Sequence, residues 1–478
     1  MSRVRMIDAL NEKGIRLTVD AEDFLKSNHS DELLKKIVEL EKPLVSREDI
    51  EPLIEKPGVE VERTPGFRPV AREFDAEIKV NHTFDVTGKS RTKGGVDNFV
   101  SHFRNRFERL GRLLKRSGQT PSVSLADVKR HLNEKVRIIV LVLSKRETKK
   151  GNLLLEVEDM TGTFKVVVSF SKYNEKIMDK AKGIILDDVI AITGKVLEPY
   201  IIAEDIEWPE LPVIREKKLS ENDLATVYLS DIHFGSKQFL GQYLKAFTDW
   251  LHGKGAAKEL AGKVKYISIA GDVVDGIGIY PNQEKDLLIK NIYGQYKMFD
   301  DFVESLPDYI EVIVTPGNHD AVRRGEPQPA LGKDLISADV TSLGNPSSFS
   351  LEGIKHLIYH GTSIDSMISS IPNLSYMHPE KVMVEYLKRR HLSPIYGGNL
   401  IIPENIDYMV VEEPPDIFHT GHVHKNGYTQ YRGTLVINSG TFQDQTDFQV
   451  KQGHVPTPAM VPVYEMKYGR LRTLDFKS

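Results

Sequence analysis

The sequence predicts a multidomain chain: a small helical module over residues 1–55, an all-β barrel over 125–212, and a large α/β layered domain over 223–478. Three observations predict it. A length of 478 residues gives a prior of about three domains and ample chain to bury a core. Between 125 and 212 the apolar period shortens to an alternation rich in β-branched residues. Beyond 223, apolar strand runs alternate with helical stretches, the signature of sheets layered with helices.

Composition excludes more than it selects. The net charge of −4 gives no whole-molecule field for nucleic acid, so any such contact must come from local basic patches. The absence of cysteine removes disulfides, thiolate zinc sites, iron–sulfur clusters and cysteine nucleophiles together, which fits a reducing cytoplasm. Arg3, Arg5, Asp8 and Glu12 interrupt the N-terminal apolar residues, and no apolar run approaches the roughly 20 residues that span a bilayer. Neither a signal peptide nor a membrane segment is expected.

In residues 1–55, Ser30 reads as an N-cap for a helix striped with Leu33, Leu34, Ile37, Val38 and Leu40, and Ser46 with Asp49 resembles a capping box. With no cluster of ligands or nucleophiles, this module reads as an interaction unit. Residues 56–96, punctuated by Pro57, Pro65, Pro69, Gly88, Gly94 and Gly95, read as a flexible tether. Over 97–120, Arg104, Arg106, Arg109, Arg112, Lys115 and Arg116 interleave with Phe99, Phe103, Phe107, Leu110 and Leu114 at helical spacing. This basic amphipathic helix either docks on its own protein with its basic face in solvent or touches a DNA backbone.

The barrel rests on five strand runs, KVRIIVLVLS, NLLLEVED, TFKVVVSF, DVIAITGKVL and YIIAEDIEW, with a helical SKYNEKIMDKA after the third. That order matches an oligonucleotide-binding (OB) barrel. Its strands offer few aromatics for base stacking, only Phe164, Phe170, Tyr200 and Trp208, so a scaffold or protein-docking role ranks ahead of base binding.

In the C-terminal domain, five apolar runs end in hard-oxygen or imidazole residues. They are VYLS before Asp231 and His233, YISIA before Asp272 and Asp275, YIEVIVT before Asn318 to Asp320, HLIY before His360, and PDIFHT before His422 and His424. In layered α/β folds, ligands bind at the carboxyl ends of strands. A lone D-x-H is an ordinary capped loop, and a lone G-D-x-x-D an ordinary turn. GNHD and GHVH are rarer, and the ordered recurrence at strand ends makes the joint reading a metal site. Asp, Asn and His without Cys suit Mn²⁺, Fe²⁺ or Zn²⁺ better than Ca²⁺ or Mg²⁺. Seven candidate ligands exceed one ion, so two are expected; a carboxylate shared between ions about 3.5–4 Å apart suits phosphoester hydrolysis. His356, His378, His391 and His419 have no matched partner and read as surface, core or supporting groups.

At these residues the domain resembles the calcineurin-like metallophosphoesterases, whose pattern is D-x-H, G-D-x-x-D/H, G-N-H-D/E, a lone His and G-H-x-H. The resemblance implies a two-sheet α/β sandwich flanked by helices. It implies one ion on Asp231, His233, Asp272 and His424 and another on Asp272, Asn318, His360 and His422, with Asp272 as the bridge. It also implies that His319 meets the scissile phosphate and protonates the leaving oxygen, and that Asp275 orients that histidine.

The order of segments, with the strings GDVVDGIGIYPNQ, GNHDAVRRGEPQP, RRHLSPIYGG, PDIFHTGHVH and INSGTFQDQTDFQ, is similar to the small-subunit family of the archaeal family D DNA polymerases. That resemblance implies 3′–5′ exonuclease proofreading on single-stranded or mismatched DNA ends, with two divalent ions, Mn²⁺ ahead of Fe²⁺, Zn²⁺ or Mg²⁺. The implied partners are the large catalytic subunit in a heterodimer, DNA, and the sliding clamp. Related eukaryotic second subunits have lost the metal ligands, whereas this sequence keeps them all. The alternatives are a non-catalytic assembly subunit and, more weakly, a small-molecule or phosphoprotein phosphatase. Arg323, Arg324, Arg389 and Arg390, near the motifs, favour a polyanionic strand as substrate.

Overall fold

A computed structural model describes residues 3–25, 31–40, 42–50, 53, 66–118, 120–170 and 175–477. The chain forms two compact units, residues 1–63 and 64–478. In the first, helices Arg3–Glu12, Val19–Phe24, Asp31–Glu39 and Arg47–Ile50 surround a short parallel ladder of Arg16–Leu17 with Leu44–Val45. Leu10, Ile15, Leu25, Leu33, Ile37, Val45 and Ile50 are its core, with Leu34, Val38 and Leu40 packed against them. Asp49 reaches back to accept from the Ser46 N–H and hydroxyl, both at 3.0 Å, so the expected box fixes that turn. The expected cap Ser30 lies outside the described residues.

The second unit corrects the expected tether. From residue 66 the segment packs on the main body, and Ile78–Val80 adds an edge strand antiparallel to Ser347–Leu351. Alternation at Ile78, Lys79 and Val80 suits an edge strand with one face inward, a signal too short to outweigh the surrounding prolines and glycines. Residues 54–65 lie outside the described set.

The five expected β runs close into a barrel. Its strands are Lys135–Glu147, Leu153–Asp159, Gly162–Val168, Val189–Leu197 and Tyr200–Glu207, with helix Glu175–Lys182 after the third. Ile138, Val140 and Val142 of the first strand are fully buried inside, while Ile139 and Leu141 on its other face pack under the helix Val96–Ser117. Burial on both faces explains why that strand reads as an unbroken apolar run.

That helix docks on its own protein, but its basic side is only partly solvated as expected. Arg106 and Arg109 turn inward, where the Arg106 guanidinium meets the Asp407 carboxylate at 2.6 Å and Arg109 donates to the Asp407 carbonyl at 2.6 Å. His391 and His102 also contact Asp407, at 2.9 and 3.3 Å. A buried carboxylate that gathers these groups ties the helix to the C-terminal domain, so periodicity alone misjudged which way these arginines point.

The C-terminal domain is a sandwich of two six-stranded sheets. One runs Thr341–Ser342, Glu311–Thr315, Val264–Ala270, Ala225–Leu229, Met460–Glu465, Arg470–Asp475; the other runs Asn426–Tyr431, Thr434–Ser439, Ile417–Thr420, Ile354–Ile358, Ser347–Leu351, Ile78–Val80. Tyr228, Tyr266 and Ile313 of the first sheet share a core with Phe349, Ile358 and Ile417 of the second. Helices Gly241–Leu251 and Ile292–Glu304 cover one outer face, and Ile364–Ser370 and Pro379–Arg389 the other. Strands Ala225–Leu229, Val264–Ala270 and Glu311–Thr315 are mutually parallel, as are Ile354–Ile358 and Ile417–Thr420, which sends all five motif-bearing ends to one edge of the sandwich.

Candidate metal centre

Each motif begins where a buried strand stops, and the chain turns sharply there. Asp231, His233, Asp272, His422 and His424 all adopt positive φ, between 49° and 73°. This left-handed geometry costs a non-glycine residue about 1–3 kcal/mol and persists only where the surroundings over-determine it. The loops supply that constraint: Asp231 N–H donates to the Gly271 carbonyl at 3.0 Å, His233 N–H to Asp272 O at 3.1 Å, and Gly421 N–H to His360 O at 2.8 Å. Space is equally tight at Gly317, where a Cβ would lie 2.2 Å from Asp272 Oδ1 and 2.8 Å from His360 Cε1.

The structure brings all seven sequence-chosen ligand residues into one cleft. Among the described residues, Asp231, His233 and His424 form one group with ligand atoms within 4.8 Å of one another, and Asp231, Asp272 and His360 form another. His233 Nε2 lies 3.8 Å from Asp272 Oδ2, and His360 Nε2 lies 3.3 Å from the same oxygen. Asn318 Oδ1 sits between His360 Nε2 at 2.9 Å and His422 Nδ1 at 3.0 Å. Asp272 thus adjoins both halves of the constellation, as does Asp231, which the two groups share.

Ring orientation fits a metal-binding role. His360 Nδ1 donates to the Ala270 carbonyl at 2.8 Å and His233 Nδ1 to the Asp275 carboxylate at 3.1 Å, which leaves each Nε2 free to face the cleft. The donor set is all oxygen and imidazole, the chemistry of Mn²⁺, Fe²⁺ or Zn²⁺. The charges interlock. Burial works against ionising Asp272, yet His360 and His319 beside it hold it well below the usual carboxylate range. Burial likewise opposes a charged His360, but Asp272 and Asp231 outweigh it and lift the ring to about 10.

Asp275 departs from expectation. Its side chain orients His233, while His319 Nδ1 donates instead to the Asp275 backbone carbonyl at 2.8 Å. The turn after Asp272 aims the Asp275 carboxylate at the strand-end histidine, where the Gln283 and Gln443 amides also hold it, at 3.1 and 3.0 Å. His319 is half-buried at the cleft mouth, its ring 4.8 Å from that of His233, and its N–H donates to Asp272 Oδ1 at 2.8 Å. Burial lowers its basicity below the ordinary histidine value, with Asp272 opposing.

The basic residues near the motifs mostly serve the fold. Arg389 is 2% exposed and pairs with barrel residue Asp188 at 2.8 Å, beside the buried Trp208; Arg390 donates to the Val411 and Glu210 carbonyls. Arg323 is engaged with Glu404 and the Pro327 carbonyl, which leaves Arg324 as the exposed one of the four. For Arg389 and Arg390 the reason is their position at the joint between barrel and sandwich, which sequence proximity to the motifs does not reveal. Of the unmatched histidines, His356 and His419 are core groups bonded to Tyr228 and Ser439, kept neutral by burial at about 4 and about 3.

Of the supporting residues, Asp320 closes the GNHD motif, whereas Gln449 and Asp365 carried no sequence signal strong enough to find them. Asp320 accepts from the Gly317 N–H at 2.8 Å and from the Val273 and Val274 N–H groups at 3.3 and 3.4 Å, tying two motif loops together. The Gln449 amide touches His424 Nδ1 at 2.8 Å, and Asp365 meets His422 Nε2 at 3.1 Å. Their motif spacing is unremarkable; only the fold delivers them to the ligands.

Comparison with known proteins agrees with this geometry. Residues 225–426 match the calcineurin-like phosphoesterase family. The chain is 44% identical over 390 residues to the DNA polymerase II small subunit of Archaeoglobus fulgidus, covering 80% of this chain and 77% of that one. It is 40% identical over 409 residues to the namesake from Methanocaldococcus jannaschii (83% and 68% covered), and 39% over 433 residues to that from Methanothermobacter thermautotrophicus (88% and 87% covered). Identity of this level over most of both chains, on a sandwich whose seven ligand residues converge, makes this chain a member of the archaeal DNA polymerase II small-subunit family, with a calcineurin-like phosphoesterase domain.

Proposed function

We propose that this chain is the metal-dependent 3′–5′ exonuclease of an archaeal replicative DNA polymerase, hydrolysing phosphodiesters at single-stranded or mismatched 3′ ends. The observation that carries this reading is the complete constellation of Asp231, His233, Asp272, Asn318, His360, His422 and His424 in one cleft, with His319 at its mouth. Two divalent ions, Mn²⁺ first, held by the two overlapping quartets, would polarise the phosphate and activate water.

The residues do the rest. Asp275 and the Ala270 carbonyl fix the tautomers of His233 and His360, so each presents a lone pair inward. Because His319 Nδ1 donates to a carbonyl, its Nε2 carries a proton only in the imidazolium form, the form that can protonate a leaving oxygen. The five-stranded barrel is read as an OB fold serving as scaffold: Trp208 is sealed at its joint with the sandwich, and Phe170 is its one largely exposed aromatic among the four candidates, at 61%. The family name supports a large polymerase subunit as partner, and the reaction itself requires a DNA end.

The test uses a 3′-recessed and a single-stranded oligonucleotide, labelled at the 5′ end, with Mn²⁺. Stepwise shortening from the 3′ end, abolished in His319→Ala within the assembled heterodimer, is expected. Intact strands, together with a His319→Ala change that alters nothing in the assembled holoenzyme, would leave the non-catalytic assembly role instead.

A further inference from the structure

Beside the ligand cluster stands an aromatic pair that the metal chemistry leaves unused. Tyr376, in the turn between helices Ile364–Ser370 and Pro379–Arg389, lies with its ring centroid 3.9 Å from that of His454 at an interplanar angle of 36°. Both rings are half-exposed, and their chain neighbours Met377 and Val455 are exposed at 45% and 54%. Each ring is tied to a different histidine of the G-H-x-H motif. Tyr376 neighbours Asp365, which meets His422 Nε2 at 3.1 Å. His454 N–H donates to the Gln449 carbonyl at 2.9 Å, and the Gln449 amide touches His424 at 2.8 Å.

We propose that Tyr376 and His454 form the nucleobase subsite of this cleft, on which the base of the nucleotide being removed stacks while its phosphodiester meets the ligand cluster. This rests on the reading of the substrate as a DNA end. An enzyme that removes any terminal nucleotide needs a platform that grips a base without reading it, and an aromatic face does so because every base has a π-face. The Asp365 carboxylate is engaged by His422 at 3.1 Å, so its charge is countered where the strand would pass. The two tethers hold the platform at a fixed distance from the ligand histidines, which sets where the scissile bond falls.

The full chain is tested with Tyr376→Ala and His454→Ala on two readouts. The first is fluorescence of a strand ending in 2-aminopurine, held uncleaved with Ca²⁺. Quenching by the wild type, lost in both variants, supports the subsite; quenching that survives both overturns it. The second is the ratio of kcat/KM on a normal 3′ end to that on an abasic 3′ end with Mn²⁺, with metal content measured alongside. That ratio is expected to fall about ten-fold in each variant, the size of one lost stacking contact, and to recover in Tyr376→Phe. Equal losses on both ends would mean that the pair only positions His422 and His424, and the subsite would be wrong. A wild type that cleaves neither strand refutes the nuclease reading, while the quenching measurement still decides the subsite.

Discussion

Replacing Asp272 by Asn removes one charge and one ligand oxygen at the point where the two halves of the site meet. Oδ1 accepts the His319 N–H at 2.8 Å, which holds the new amide oxygen in that place. The amide nitrogen then replaces Oδ2, 3.3 Å from His360 Nε2 and 3.8 Å from His233 Nε2, where it cannot ligate. The lost attraction is at least that of unit charges 4 Å apart at an effective dielectric constant of 20, about 4 kcal/mol, or roughly three decades in affinity. Elemental analysis after dialysis should therefore find at most one ion per chain in the variant against two in the wild type, with strand hydrolysis below detection. Asp272 lies at a strand end outside the apolar clusters, so the circular dichroism spectrum should be unchanged. Two retained ions with near-normal turnover would show that the carboxylate is not shared.

Metal-free protein should lose stability as pH rises from about 6.5 towards 10. His360 is held up at about 10 when folded against 6.5 when free, so the folded state keeps a proton the unfolded chain has released. That contribution is complete below 6.5 and vanishes through about 10; thermal melts in chelator should show the slope, flattened in Asp272→Asn. Asp275→Asn should weaken metal binding ten- to a hundred-fold by misorienting His233, read by chelator competition, with unchanged affinity refuting that contact's role. Asp407→Ala should cost about 3–5 kcal/mol, because the Arg106 guanidinium, 1% exposed, is left without its carboxylate. The Arg106→Leu/Asp407→Leu double variant should melt higher than the single one, and a single variant with wild-type Tm would contradict the pairing. Gly317→Ala should lose metal while its melting temperature stays within a few degrees, since the added methyl strikes Asp272 and His360 rather than the core.

Much of the fold was legible because it rests on local periodicity. The β-branched runs KVRIIVLVLS and its four companions announced the barrel, and apolar runs ending in Asp, Asn or His announced the parallel strands whose ends carry the candidate ligands. Ligand chemistry is similarly local: hard donors after a buried strand have few other uses. What was misjudged depended on direction and on distant partners. The Ile78–Val80 strand is defined by Ser347–Leu351, some 270 residues away, and the inward turn of Arg106 by Asp407. Arg389 reads as a strand-binding cation until Asp188 is seen beside it.

The sequence by itself determined the architecture of a barrel and an α/β domain and pointed to seven residues that converge in one cleft, because hydrophobic period and donor chemistry are properties of short segments. Only the tertiary structure decided which histidine Asp275 holds, where the basic side chains point, and that Tyr376 and His454 stand together beside the G-H-x-H histidines. Those outcomes depend on left-handed turns at strand ends and on pairings between segments far apart in the chain, and such pairings leave no periodic trace in either segment alone.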